Sequence, residues 1–224
     1  MAELVLEERP ADGEPAGLLV LHHGRGTDER DLFGLADLLD SQRRLHVAAP
    51  RAPLELPGSP GYHWYRVPRV GYPDPDTFEQ ARAKLAAVHD ELWERTGLSA
   101  EQTVLGGFSM GTVMSYALGL SGERPAPAGI LAFSGFIPTI EGWEPSLADR
   151  RQLRVFISHG GRDPVIDVTF AHRARDLLTA GGLNVEYHEH EGSHHIDPRQ
   201  LELAARWLGD TLLADNRGTD TVEV

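Results

Sequence analysis

The chain has 224 residues, of which 41% are hydrophobic and 25% charged, and its formal net charge at pH 7 is −13. This composition is typical of a globular protein with a sizeable core, and the length suits one α/β domain. The negative charge disfavours binding to nucleic acid or to anionic lipid headgroups, since both require clustered cations. The sequence contains no cysteine, which excludes disulfides, thiolate metal ligands and a cysteine nucleophile.

The N-terminal sequence MAELVLEERP lacks the basic and apolar regions of a signal peptide. No run approaches the roughly 18 apolar residues of a transmembrane helix. We therefore expect a cytoplasmic protein that does not insert into membranes. Residues 1–213 are predicted to form a single domain, followed by a mobile acidic tail over 214–224.

Six short apolar runs are predicted to be β-strands. Longer amphipathic segments separate them, and five of the runs are apolar enough to be buried on both faces of a sheet. The sixth run alternates polar and apolar residues, which places it nearer an edge. The runs cover 17–23, 45–50, 103–108, 128–134, 153–159 and, for the alternating run, 184–190.

Three amphipathic segments are predicted to be helices, because their apolar residues recur at three-and-four spacing and their ends carry capping residues. Strands that alternate with helices imply parallel pairing. The predicted fold is therefore α/β, a three-layer sandwich around a mostly parallel sheet. The capping residues are Asp76 and Gly97 for the first helix, Asp167 and Gly181 for the second, and Asp197 with Pro198 for the start of the third.

The segment 51–76 interrupts this alternation. It is rich in proline and glycine and carries four aromatic residues. A connection of this length is usually a functional covering loop or disordered, and the aromatic residues favour a covering loop. A cap over one end of the core explains the same residues equally well. The aromatic residues are Tyr62, Trp64, Tyr65 and Tyr72.

The sequence GFSMG places Ser109 between two glycines, where an apolar run changes to a helical pattern. In this context G-x-S-x-G is typical of a nucleophile elbow, a sharp strand-to-helix turn that exposes a serine hydroxyl at the end of a sheet. Side chains at Gly107 or Gly111 would collide where the strand and helix pack closely. The alternative is a glycine-rich turn that only joins the two elements.

A serine nucleophile needs a base and a carboxylate that orients the base, and in elbow folds these follow the serine in the order acid, histidine. Asp163, in a Gly/Pro turn, is the favoured acid, whereas Asp167 is better placed to cap a helix. His194 and His195, just before the last helix, are candidate bases, and so are His159, His188 and His190.

The oxyanion that forms on the substrate also needs hydrogen-bond donors. The backbone N–H of Met110 directly follows the nucleophile. Gly24 and Gly26 let the preceding loop turn inwards, so the N–H of Arg25 is the second predicted donor.

Cofactor and metal motifs are disfavoured. GRGTDE and GGFSMG each lack one glycine of the dinucleotide-binding pattern G-x-G-x-x-G. A metal site could be drawn from six histidines, namely His22, His23, His188, His190, His194 and His195. His188 and His190 share one face of a predicted strand, but no metal motif such as H-E-x-x-H accompanies them. We expect no cofactor and no catalytic metal.

Four stretches together resemble the phospholipase/carboxylesterase branch of the α/β-hydrolases, which includes acyl-protein thioesterases. The resemblance runs from about Leu18 to Leu212 and implies an α/β-hydrolase fold and an acyl-enzyme mechanism without a cofactor. The stretches are LHHGRGTDERDL, GGFSMG, FSGFIP, and HGGRDPVI followed by VEYHEHEGSHHI. The implied roles are Ser109 as nucleophile, His194 as base, Asp163 as acid, and Arg25 and Met110 as oxyanion donors.

The chain departs from the pattern of this family at four positions. Ser193 and His195 stand where relatives commonly have glycine and an acidic residue around the histidine. Met110 stands where many have glutamine, and His22 where an aliphatic residue is more usual. The change at Met110 keeps the backbone N–H but loses any hydrogen bond from the glutamine side chain.

The predicted function is that of a serine esterase acting on small-molecule carboxylic esters with short to medium acyl chains. The same triad would serve a thioesterase or lysophospholipase, and a catalytically silent hydrolase fold that binds a small ligand is the alternative from another class. Whether the chain forms a homodimer is left open. Candidate substrate contacts, each also suited to a core position, are Trp64, Phe136, Ile137 and Trp143.

Overall fold

The computed structural model describes residues 4–213, so the predicted tail over 214–224 lies outside the described residues. The strands are β1 (Leu6–Arg9), β2 (Gly17–His22), β3 (Leu45–Pro50), β4 (Leu54–Glu55), β5 (Tyr62–His63), β6 (Thr103–Phe108), β7 (Gly129–Phe133), β8 (Arg154–Gly160) and β9 (Asn184–His190). The helices are α1 (Arg30–Phe33), α2 (Ala36–Leu39), α3 (Pro75–Thr96), α4 (Met110–Gly119), α5 (Thr169–Ala180) and α6 (Pro198–Leu212).

Seven strands form one sheet in the order β1-β3-β2-β6-β7-β8-β9, and β4 pairs with β5 in a small antiparallel hairpin. The six predicted strands are all present and pair in parallel, and β9 lies at one edge as its alternating pattern indicated. Strand β1, which pairs antiparallel with β3 at the other edge, was not predicted from the sequence. Its sequence LEER is short and mostly charged, so it carries no apolar signal.

Helices cover both faces of the sheet, which confirms the three-layer sandwich. Alternate residues of each strand point to opposite faces. Leu18 and Val20 pack in one cluster with residues of α3 and α4, whereas Leu19 and Leu21 pack in another with residues of α1, α2 and α6. Helix α5 packs over β7 and β8 in a third cluster. Within residues 4–213, no helix is both long and apolar enough to cross a lipid bilayer.

Two predicted helix starts differ from the structure. Helix α3 begins one residue after Asp74, whose carboxylate accepts a hydrogen bond from Thr77 N–H, so Asp74 and not Asp76 is the N-cap. Pro75 is the first helical residue, a position where its missing N–H costs nothing. Helix α5 begins at Thr169 rather than at Asp167, although Asp167 still accepts from Thr169 N–H.

The other helix ends agree with the sequence. Gly97 ends α3 in the left-handed region, with φ of 71°. Asp197 caps α6 and Pro198 is its first residue. The parallel arrangement brings the carboxyl ends of β6, β8 and β9 to the same edge of the sheet, and the chain that follows each of these strands carries a candidate catalytic residue.

Candidate active site

Ser109 occupies the turn between β6 and α4 in a strained backbone conformation. Its φ is 56° and its ψ is −118°, a region that non-glycine residues rarely adopt. The turn is held by a hydrogen bond from Ser109 N–H to the carbonyl of Phe133, 2.9 Å long. The conformation is the sharp strand-to-helix turn predicted from G-x-S-x-G.

Gly107 and Gly111 make this turn possible because neighbouring backbone occupies the space of a side chain. A Cβ atom at Gly107 would lie 2.5 Å from the carbonyl carbon of Gly111. A Cβ atom at Gly111 would lie 1.9 Å from the carbonyl oxygen of His22, on the adjacent strand β2. The close contacts therefore join the end of β6 to the start of α4, and the start of α4 to the adjacent strand β2.

Ser109, His194 and Asp163 form a continuous line of hydrogen bonds. The Oγ of Ser109 lies 2.9 Å from Nε2 of His194, and Nδ1 of His194 lies 2.6 Å from Oδ2 of Asp163. With the ring proton on Nδ1, His194 donates to the carboxylate and accepts from the serine hydroxyl. This is the arrangement in which an imidazole can remove a proton from a serine.

Backbone donors fix the carboxylate of Asp163. Its Oδ1 accepts from the N–H groups of Val165 and Ile166, at 2.8 and 2.9 Å. Burial would raise the pKa of Asp163, but the hydrogen bonds from Ile166, His194 and Val165 outweigh it, and the net pKa is lowered. Asp163 is therefore ionised at neutral pH and can stabilise a positively charged His194.

The competing acid and base candidates lie outside this line. The carboxylate of Asp167 accepts from Thr169 N–H, 2.9 Å away. His188 bonds to Glu186, and the ring of His195 contacts that of His190.

His159 is a supporting residue that sequence reasoning assigned only as a candidate base. It is fully buried, and its Nε2 donates to the carbonyl of Ile166 over 2.8 Å and lies 3.5 Å from Oδ2 of Asp163. It therefore braces the turn that carries the acid.

A cavity of about 360 Å³ opens onto Ser109 and His194. Both residues predicted to supply oxyanion donors, Arg25 and Met110, line it. The other lining residues are Tyr65, Val67, Val70, Phe136, Val165 and Ile166. The walls are mainly apolar and suit a short hydrocarbon chain.

The loop that carries Arg25 is anchored by His23, a residue that was considered from the sequence only as a possible metal ligand. Its Nδ1 donates to the carbonyl of Gly24 over 2.7 Å, and its Nε2 accepts from Ala52 N–H over 2.9 Å. These two bonds fix the tautomer of the ring and tie the loop to the chain after β3. The adjacent glycine pattern was visible in the sequence, but the partner at Ala52 was not.

Comparison with known proteins gives the family. A family model described as phospholipase/carboxylesterase matches residues 7–212. The chain belongs to the phospholipase/carboxylesterase family. Members of this family are hydrolases of the carboxylesterase and acyl-protein thioesterase type, so the resemblance read from the four sequence stretches is confirmed.

Relatives in sequence and structure span nearly the whole chain. Acyl-protein thioesterase 1 of Debaryomyces hansenii is 27% identical over 232 residues, which cover 95% of this chain and 99% of the relative. Esterase PE8 superposes with a TM-score of 0.80 at 32% identity, covering 93% of this chain and 99% of the other. A carboxylesterase of Bacillus cereus superposes with a TM-score of 0.81 at 23% identity, covering 94% and 95%. The α/β-hydrolase fold is thus confirmed.

The structure separates the four candidate substrate contacts of this family member. Phe136 lines the cavity with Ser109. Ile137 and Trp143 instead line an adjacent cavity of about 540 Å³, which shares Phe136 with the first. Trp64 lines neither cavity: its side chain is 0% exposed and its indole N–H donates to the carbonyl of His23. The prediction for Trp64 is wrong because the chain turns it into the core.

One part of the segment 51–76 packs into the core and another part lies at the cavity beside Ser109. Trp64 and Tyr65 are buried in the core beside α3. Val67 and Val70, a few residues later, are exposed and line the cavity beside Ser109 together with Tyr65. The sequence analysis considered only the aromatic residues of this segment and so missed both valines.

One further group of ligand-type side chains lies near the triad in the described part of the chain. His190, His195 and Asp197 bring a nitrogen or oxygen atom each within 4.8 Å of the others. None of them contacts Ser109, so the hydrogen-bonded line uses only residues 109, 163 and 194.

Proposed function

We propose that this member of the phospholipase/carboxylesterase family is a serine esterase that hydrolyses carboxylic esters with short to medium acyl chains. The observation that carries the proposal is the hydrogen-bonded line from Ser109 through His194 to Asp163 at the wall of an apolar cavity. An activated serine beside an apolar pocket is suited to acyl transfer.

In the proposed first half-reaction, Ser109 Oγ attacks the carbonyl carbon of the ester while Nε2 of His194 takes the hydroxyl proton. The negative charge moves to the carbonyl oxygen, where the N–H groups of Arg25 and Met110 stabilise it. The carboxylate of Asp163 holds the ring tautomer and stabilises the imidazolium. Collapse of the tetrahedral intermediate breaks the ester C–O bond, and His194 returns the proton to the leaving alcohol.

In the second half-reaction, water replaces the alcohol. His194 removes a proton from the water as it attacks the acyl-enzyme, and the same proton is returned to Ser109 when the carboxylic acid leaves. Every group in this sequence belongs to the chain itself, so no cofactor is assigned a step. Tyr65, Val67 and Phe136 are proposed to contact the acyl chain, because they line the cavity beside Ser109.

A thioesterase activity is the second candidate, and the names of the relatives favour it. Several similar proteins, including the one from Debaryomyces hansenii, are acyl-protein thioesterases. The triad would attack a thioester in the same way, because the alcohol or thiol departs only after the tetrahedral intermediate has formed. A panel of acyl-chain lengths, assayed as oxygen esters and as thioesters, separates the two activities.

Turnover of p-nitrophenyl butyrate by wild type and by Ser109→Ala tests the proposal. We expect wild-type turnover and a loss of about 10⁴-fold or more in the variant. Ser193→Ala is the matched control, because this exposed serine lies next to His194 but outside the hydrogen-bonded line. Equal, low rates in wild type and Ser109→Ala would instead favour a silent fold that binds a small ligand.

A cytoplasmic location forms part of the same proposal. Fractionation of cells that express the protein from its own gene tests it, and recovery in the membrane or secreted fraction would contradict it.

A further inference from the structure

Three side chains that commonly bind metal ions converge where β9 ends and α6 begins. One ligand atom from each of His190, His195 and Asp197 lies within 4.8 Å of the other two. The ring centroids of the two histidines are 5.4 Å apart. The group flanks His194 in the chain but shares no residue with the hydrogen-bonded line of the triad.

The approach of the two rings depends on Gly192. A Cβ atom at this position would lie 2.5 Å from Cε1 of His195 and 2.6 Å from Nδ1 of His190, well inside van der Waals contact. The N–H of Gly192 also donates to Nδ1 of His190 over 3.1 Å. The loop is therefore shaped so that both rings face the same small volume.

The group has ligand capacity that the protein does not use. Nε2 of His190 is buried and has no hydrogen-bond partner within residues 4–213. Asp197 uses Oδ1 to accept from Arg199 N–H at the start of α6, over 2.8 Å. In the same part of the chain, neither its Oδ2 nor the ring nitrogens of His195 form a hydrogen bond. A buried ring nitrogen without a partner is unfavourable unless a ligand binds it.

We propose that His190, His195 and Asp197 form a binding site for a divalent transition-metal ion, for which Zn²⁺ is the probe. Two imidazole nitrogens and one carboxylate oxygen are ligands that Zn²⁺ and its neighbours in the first transition series favour. Mg²⁺ and Ca²⁺ favour sites made of oxygen atoms and are not expected to bind. Three protein ligands leave room for water in the coordination shell.

Metal binding is coupled to the catalytic histidine through the loop 191–196. Coordination through Nε2 of His190 places the ring proton on Nδ1, which ends the hydrogen bond from Gly192 N–H. Gly192 lies two residues before His194, so the loss of this bond changes the loop that positions the ring of His194. Zn²⁺ is therefore expected to inhibit ester hydrolysis. This consequence rests on the proposed function, whereas the metal site itself does not.

Isothermal titration of the full chain with Zn²⁺ tests the site directly. Wild type is expected to bind one ion. His195→Ala and Asp197→Asn are expected to weaken binding at least ~10-fold, since even indirect partners of a metal are worth about that much. Asparagine at 197 retains the N-cap, so folding is preserved. His172→Ala is the matched control, because it removes an exposed histidine that pairs with Glu189 instead. No saturable binding, or equal affinity in His195→Ala, would overturn the site.

The coupling is tested by the rate of p-nitrophenyl butyrate hydrolysis with and without Zn²⁺, taken as a ratio within each variant. In wild type the ratio is expected to fall with a midpoint equal to the dissociation constant, and in His195→Ala the same fall is expected at ~10-fold higher Zn²⁺ or more. An equal fall in both would show that Zn²⁺ acts on Ser109 or His194 and would overturn the coupling. Zn²⁺ binding to a wild-type protein that hydrolyses no ester would contradict the proposed function but would support the metal site.

Discussion

The nucleophile elbow and the histidine loop 191–196 are joined by the hydrogen bond between Ser109 and His194, but different contacts fix their positions. The elbow is enclosed by backbone: Ser109 is 8% exposed, and Gly111 abuts the carbonyl of His22. The histidine loop lies at the surface, and Glu191, Ser193 and His195 are exposed. Steric contacts therefore position the nucleophile, whereas the bond to Asp163 positions the base. The elbow could be recognised from a local motif, whereas His194 was named as the base through the resemblance to the family.

The largest effect on activity is expected from the loss of the Asp163 carboxylate, which orients His194. Asp163→Asn should lower kcat for p-nitrophenyl butyrate by about 10⁴-fold, because the amide favours the wrong imidazole tautomer. Asp167→Asn is the control, since Asp167 accepts a hydrogen bond at the start of α5 and asparagine also caps helices. Comparable losses in both variants would mean that the acid has been misassigned.

The steric difference between the two regions can be tested by adding one methyl group to each. Gly111→Ala should destabilise the fold by at least about 3 kcal/mol, because the new Cβ meets a fixed backbone oxygen at 1.9 Å. Gly192→Ala should cost only about 1 kcal/mol, because its contacts are ring atoms of His195 and His190, which can rotate away. Urea unfolding of both variants measures the difference. Equal costs would contradict a rigid elbow beside an adjustable loop.

Acid should destabilise the support beneath the elbow. His22 bonds to Ser115, which donates to the carbonyl of Gly111, and its other nitrogen lies 3.3 Å from His89. Burial lowers the pKa of His89 to about 3, and burial with two neighbouring histidines lowers the pKa of His22 well below 6.5. The unfolded chain thus binds protons that the folded chain does not, and stability falls as the pH drops from 6.5 towards 3.

The expected slope is about 1.4 kcal/mol per pH unit for each of these two histidines. His89→Gln should remove the contribution of His89 to the pH dependence of the free energy of unfolding. His172→Ala, at a partly exposed histidine, should leave that dependence unchanged. Free energies of unfolding measured between pH 7 and pH 4 test whether the two buried histidines cause this pH dependence. A slope in His89→Gln that matches wild type would show that the buried pair does not titrate in this way.

The smallest expected effect concerns the cavity wall. Phe136→Leu should change kcat/KM for butyrate esters by about tenfold, because Phe136 lines the cavity beside Ser109. Ile137→Val should change it by less than about threefold, since Ile137 faces the adjacent cavity. Steady-state kinetics across acyl-chain lengths separates the two. A larger change in kcat/KM for Ile137→Val than for Phe136→Leu would place the acyl chain in the adjacent cavity.

The sequence predicted features that are encoded locally. The six parallel strands carry their own apolar runs, and the elbow carries its glycines at fixed spacing. Gly97 and Asp197 mark helix ends by capping alone. Strand β1 was missed because its pairing with β3, rather than its own residues, makes it a strand.

Features that depend on the path of a long connection were less predictable. Trp64 has the composition of a pocket residue, yet the hairpin of β4 and β5 directs it into the core. Val67 and Val70 have no distinctive pattern and line the cavity only because the same segment returns over Ser109. Likewise, the anchoring bond from Ala52 to His23 joins two distant segments.

Labelling with a fluorophosphonate, followed by peptide mapping, tests the central claim most directly, namely that the triad activates Ser109. We predict a single covalent adduct on the peptide that contains residue 109, no adduct in Ser109→Ala, and strongly slowed labelling in His194→Gln. An adduct on another serine, or a wild-type protein that stays unlabelled, would contradict the account.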